Sequence, residues 1–226
     1  SKTRVENWWW QEGSMGNKAG IDALIALYTS PDGILDEDAL YRHVGLMNYQ
    51  HGSHKSVAWR AAHGTHVMDL ACGFDPASQV DDRPIVCVQL PTEATADEEP
   101  GTLEFYGAYA ILYIVLCAQA IAAARGVTSL PIVINWSYGL LSGPHDGKGW
   151  MQDFIQDMVD YCKNSGFDLR VVLPSGNSYL SRTHAQASFT FSGQVKELLW
   201  RVLPDDRTPS FLEIWLPSPL PTYPSS

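Results

Sequence analysis

Only four of the 226 residues are cysteine, and no two of them form a CxxC pair. Cys72, Cys87, Cys117 and Cys162 are widely spaced, three of them inside apolar runs, so they read as buried free thiols rather than a disulfide scaffold. That pattern favours a reducing, cytoplasmic setting. No run of about 18 uninterrupted apolar residues occurs. The opening SKTRVENWWW has no signal-peptide core. Neither a membrane span nor a secretion signal is therefore expected. Basic residues are also scarce, 15 against 25 acidic, for a formal net charge of −10. Such a surface repels phosphate backbones and anionic head groups, so nucleic acid and membrane are not expected partners. No internal repeat of solenoid type is present.

A hydrophobic content of 45% is enough for one substantial core. Residues 1–20 give no clear period, and Trp8, Trp9 and Trp10 read as packing residues because aromatics carry large burial energy. Ile21 to Tyr28 shows helical spacing, stopped by Pro31-Asp32-Gly33, and a short helix is expected from Asp38 to His43. From residue 61 the order becomes regular. A histidine-rich helix runs to about Cys72, followed by a strand at Ile85 to Leu90 and a long apolar helix from Leu103 to Arg125. Then come a strand at Pro131 to Asn135, a helix from Trp150 to Asn164 and a strand at Leu169 to Leu173. Gly126 and Gly166 close the two helices.

Alternating strands and helices with nearly continuous apolar strands predict an α/β fold, a mainly parallel sheet with helices on both faces. The predicted organisation is an insertion or connecting region at 1–60, a core at 61–178, and a β-rich insertion with a proline-rich tail at 179–226. Within the last part, Ser188 to Phe191, Leu198 to Val202 and Phe211 to Leu216 read as short strands. In such sheets ligands bind at the carboxyl ends of the strands.

Three motifs fall at those ends. His63-Gly64-Thr65-His66-Val67 opens a helix, where a histidine can act as general base for a nucleophile on another loop. A pair of packed, hydrogen-bonded histidines is the plainer account of the same motif. Ile132 to Gly139, IVINWSYG, ends a strand in backbone suited to pairing with an extended peptide. Val171 to Ser178, VVLPSGNS, presents an asparagine amide on a glycine turn, where a donor to an oxyanion is worth about 3 kcal/mol in the transition state.

In this order, HGTHV, VINWSYG and PSGN resemble the subtilisin-like (subtilase) family of serine peptidases over roughly residues 61–178, its central portion. The resemblance implies that His63 is the catalytic base, that Ser137, Tyr138 and Gly139 form the substrate-holding strand, and that Asn177 is the oxyanion donor. It implies a peptide or protein substrate and no organic cofactor. Calcium supports many members, but no all-oxygen cluster specific enough to claim it stands here. Met68-Asp69-Leu70 replaces the usual small residues after HGTHV, Pro174-Ser175 replaces the small pair before Gly-Asn, and Trp136 and Tyr138 are bulky. These departures suggest a divergent branch.

The family's Gly-Thr-Ser motif is absent. Ser210 follows proline and precedes a strand-like run, which disqualifies it as nucleophile. Asp32 lies at a suitable interval before His63 but follows a helical pattern and Ser30-Pro31, whereas the family's aspartate ends an apolar strand. The aspartate is expected upstream of Ser1 and the serine downstream of Ser226, so the chain alone is expected to be inactive. A different reading is a subtilase-like peptide-binding module without catalysis. A zinc site from His51, His54, His63 and His66 is a further alternative, although four-histidine structural sites are uncommon; no metal is assigned. His145-Asp146 reads as a turn. His184 and the acidic run Asp97-Glu98-Glu99 read as solvated surface, with a preference for basic peptides left open.

Overall fold

Strand β1, Val5–Trp10, forms although no polar residue alternates with its tryptophans. Both of its edges are paired. β2, Ser14–Asn17, runs antiparallel on one side with Gly16 opposite Trp8. β3, Ile85–Gln89, runs parallel on the other with Cys87 opposite Trp8. The order is β2-β1-β3. A Cβ on Gly16 would collide with the Trp8 indole, so only glycine lets that ring cross β2. The computed structural model describes residues 3–47, 62–75, 83–95, 101–139, 143–207 and 210–216.

Helix α1, Lys18–Leu27, starts where the Asn17 side chain accepts the Gly20 N–H at 3.1 Å. Helix α2, Glu37–His43, starts where Asp36 accepts the Ala39 N–H at 3.0 Å, and it places Arg42 and His43 at its negative end. A bridge between Thr29 and Leu35 closes the turn between them. Asp32 stands exposed in that turn, at the end of no strand.

Helix α3 is His63–Cys72 and the short α4 is Thr92–Thr95. Helix α5, Thr102–Ala124, is apolar on nearly all sides: Gly107, Ala110, Ile111, Val115 and Ala122 are buried, while Phe105, Tyr109, Leu112 and Leu116 stay exposed along another face. Its Tyr113 ring lies 5.1 Å from Trp9, on the first sheet. Its Gly107 lies under the ring of Trp136, where a Cβ would overlap the indole. By length and composition alone α5 could cross a membrane. In this fold it packs against both sheets. Gly126, at φ +66°, ends it in the left-handed conformation expected from the sequence, with Val127 N–H on Ala122 O at 3.0 Å.

The second sheet is a parallel pair, β4, Pro131–Asn135, and β5, Asp168–Val172, joined through helix α6, Trp150–Asn164. Ile132, Ile134 and Leu169 turn inward and meet Ile111 and Val115 of α5 and Met151, Met158 and Cys162 of α6. These residues form the main core.

Two expectations change. The sheet is not one parallel unit: among the described residues there are a three-stranded mixed sheet and a separate parallel pair. The first has helices on both faces, since Trp9 meets α5 while Cys87, on the Trp8 face, meets Met68 of α3. The second is covered on one face, leaving Val133, Arg170 and Val172 exposed. Nor is the C-terminal part β-rich: no described residue after Val172 is in a strand, and a 3-10 turn at Tyr179–Ser181 is its only helical element among them. Its apolar residues are exposed, Leu199 at 89% and Ile214 at 77%, so the alternating pattern finds no partner strand to pair with.

Candidate active site

The register of β4 on β5 brings the second and third motifs together. Asn135 pairs with Val172, and the ladder goes one step further, Trp136 N–H donating to Val172 O at 3.0 Å. Both chains then leave at the carboxyl edge. A Cβ on Gly139 would stand 3.6 Å from the Gly176 Cα, so the Ser137–Gly139 segment and the turn before Asn177 lie side by side. Gly176 holds φ +90°, a conformation that glycine adopts without a Cβ penalty, and the chain turns there to expose Asn177. Asn135 Nδ2 donates to Ser137 Oγ at 2.8 Å. The Tyr138 hydroxyl donates to Thr95 O at 2.9 Å, joining the segment after β4 to the one after β3. Beneath, Trp136 Nε1 is buried with no hydrogen-bond partner among the described residues.

His63 belongs to a helix tied to the first sheet rather than to the β4–β5 pair. The carboxyl end of α3 is held where β1 and β3 begin, because Arg4 Nη1 donates to Cys72 O at 2.6 Å and Ile85 N–H donates to Arg4 O at 3.0 Å. Halfway along, the Cys87 thiol meets Met68 Sδ at 3.8 Å. His63 is exposed at the first turn of α3, and among the described residues no hydrogen bond or ring contact joins it to the Ser137–Gly139 segment or to Asn177. Among the described residues no carboxylate hydrogen-bonds to it, and Ala62 provides no side-chain cap. His66 is exposed too, so the packed-pair account of HGTH does not hold.

A polar cluster that the sequence reading missed lies at the carboxyl end of β1. Gln11 N–H donates to Gln89 O at 3.1 Å, and its side-chain Nε2 donates to Tyr106 O at 2.9 Å while its Oε1 is buried without a partner among the described residues. Glu12 accepts the Thr92 N–H at 2.5 Å, and that bond holds its carboxyl below the usual range. The Tyr106 hydroxyl donates to Glu93, which pushes the phenol up. The legible signal was Gln-Glu-Gly directly after an apolar run, a strand-end pattern.

The other candidates separate. Asp146 accepts the Lys148 N–H at 3.0 Å and serves a turn, with Gly147 at φ +78°. The rings of His145 and His184 are 6.3 Å apart. Ser210 Oγ donates to Asp206 at 3.3 Å, on the surface. His51, His54 and Asp97-Glu98-Glu99 lie outside the described residues, and among the described ones no three His, Cys, Asp or Glu side chains gather as a metal site. No protein-family model, no curated protein and no solved structure matches the chain.

Proposed function

We propose that this chain is the histidine- and asparagine-bearing portion of a subtilisin-like serine peptidase that hydrolyses peptide bonds by acyl transfer. The observation that carries the proposal is the adjacency of the Ser137–Gly139 segment and the Gly176-Asn177 turn at the carboxyl edge of a parallel pair. A strand edge that can pair with an extended substrate stands there beside an exposed amide donor.

In this reading a serine hydroxyl from outside residues 1–226 attacks the peptide carbonyl carbon while His63 takes its proton. The Asn177 amide and a backbone N–H hold the oxyanion. His63 then returns the proton to the leaving amine as the C–N bond breaks, and water hydrolyses the acyl-enzyme by the same route. The finer fold belongs to the proposal as well. β3, IVCVQ, and β4, PIVIN, carry no charged residue. Exposed sheet edges are normally short, charged or bulged. The outer strands here are of that kind: β2 is a short SMGN and β5 carries Asp168 and Arg170. The two sheets thus have the character of parts of a larger subtilisin-like sheet, completed by a strand that ends in the missing aspartate.

A peptide-binding module without catalysis is the second reading, favoured by the absence of any described carboxylate on His63. A serine-directed fluorophosphonate probe on the natural polypeptide containing residues 1–226 separates the two. Labelling that His63→Ala abolishes supports the peptidase; an unlabelled protein that still binds extended peptides supports the module.

A further inference from the structure

Helix α3 has no buried residue and no side-chain cap at its start. A ten-residue helix in that condition is marginal by itself in water, so something else must hold it. Among the described residues the polar tie is Arg4. Its Nη1 donates to Cys72 O, the last carbonyl of α3, at 2.6 Å. Its Nε and Nη2 fork onto Arg83 O, ahead of β3, at 3.2 and 3.1 Å. The guanidinium carbon lies 4.6 Å from the centre of the Phe74 ring, just beyond the helix. Its own carbonyl accepts the Ile85 N–H at 3.0 Å. One side chain therefore fastens the carboxyl end of α3, the approach to β3 and the start of β1 to one another, with its positive charge at the negative end of the helix.

We infer that Arg4 is a positioning residue for His63, setting the direction of α3 and so the place of the imidazole at its far end. The inference rests on the peptidase reading for what His63 does there. The Met68–Cys87 contact acts as the second point of the line, and Arg4 fixes the end from which the helix points. A lysine in its place keeps the charge but offers a single nitrogen where the guanidinium sets three against Cys72 O and Arg83 O, so it holds the arrangement less well.

The test uses the 226-residue chain with Arg4→Met and Arg4→Lys, followed by amide hydrogen exchange and by the NMR signals of the histidine rings. Arg4→Met is expected to speed exchange across α3 about tenfold or more, with α6 unchanged, and to shift or broaden the His63 ring signals while those of His145 and His184 stay. Arg4→Lys recovers part of both effects. In a polypeptide that supplies the serine, Arg4→Met should lower kcat about tenfold with KM nearly unchanged. Unchanged α3 exchange, or equal loosening of α6 with matching shifts at His145 and His184, overturns the assignment. If Arg4→Met does not fold, Arg4→Lys decides by the same comparison of α3 with α6. Failure of the peptidase reading has a separate signature, hydrolysis that survives His63→Ala.

Discussion

Gly139 and Gly176 face each other where the two parallel strands end, the Cβ position of the first 3.6 Å from the Cα of the second. The two glycines are there for different reasons. Gly176 needs its left-handed φ of +90°, whereas Gly139 needs no unusual backbone and its added methyl would make ordinary contact. Gly176→Ala should therefore cost about 1 kcal/mol or more. Gly139→Ala should stay within about 0.5 kcal/mol. Urea denaturation of both variants measures the contrast, and equal losses would contradict it.

Gly107 and Trp136 form a tighter pair. A methyl on Gly107 overlaps the indole, so α5 and β4 must move apart in Gly107→Ala. The expected cost is about 1–3 kcal/mol, the range for overpacking a filled core. Trp136 is 8% exposed in the native fold, and its displacement should move tryptophan emission to longer wavelength.

Tyr113 donates to Trp8 O at 3.4 Å and is pushed up to about 12, chiefly by burial and then by its bond with Cys117. Its folded value lies above the unfolded one near 10. Its contribution to stability is thus complete below pH 10 and is lost as pH rises through about 12. Alkaline titration of tyrosinate absorbance should show one phenol that ionises near pH 12, absent in Tyr113→Phe.

The C-terminal segment is held to the Gly143 loop by Glu213, which accepts the Gly143 N–H at 2.7 Å and the Trp215 indole N–H at 3.0 Å. The Gly143 bond first, then Trp215 and the nearby His145, hold the carboxyl below its usual range. A depressed carboxyl gives stability above its unfolded pKa, lost as pH falls through the folded value. Acidification below the ordinary glutamate range, about 4.3, should lower the protection of the Gly143 amide, its exchange measured against the intrinsic rate at each pH. Glu213→Gln should remove that pH dependence.

Legibility in the sequence followed the range of the interactions. α5, β4, α6 and β5 were readable to within a residue or two because apolar periodicity and Gly126 and Gly166 are local signals. The β1–β2 hairpin was not, since Trp8-Trp9-Trp10 has no alternation and its parallel partner begins only at Ile85. The opposite error occurred at Ser188 to Phe191 and Phe211 to Leu216, where a strand-like pattern lacks a neighbour among the described residues. Of the site, His63, Asn177 and Ser137–Gly139 carried recognisable motifs. Gln11 and Glu12 acquire meaning only once β1 is known to lie parallel to β3.

Asn177 is exposed and makes no hydrogen bond among the described residues, so Asn177→Ala should leave stability within about 0.5 kcal/mol. Where the serine is supplied, the same change should lower kcat about 100- to 1,000-fold, the loss typical of one oxyanion donor. A loss of folding in step with activity would assign Asn177 to the scaffold instead.

The most direct measurement is fluorophosphonate labelling, with peptide hydrolysis in parallel, of the natural polypeptide that contains residues 1–226, alongside its His63→Ala variant. The account predicts covalent labelling of a serine outside these residues, with labelling and hydrolysis both lost in His63→Ala. A folded, peptide-binding protein that takes up no probe, or one whose hydrolysis is indifferent to His63, would contradict it.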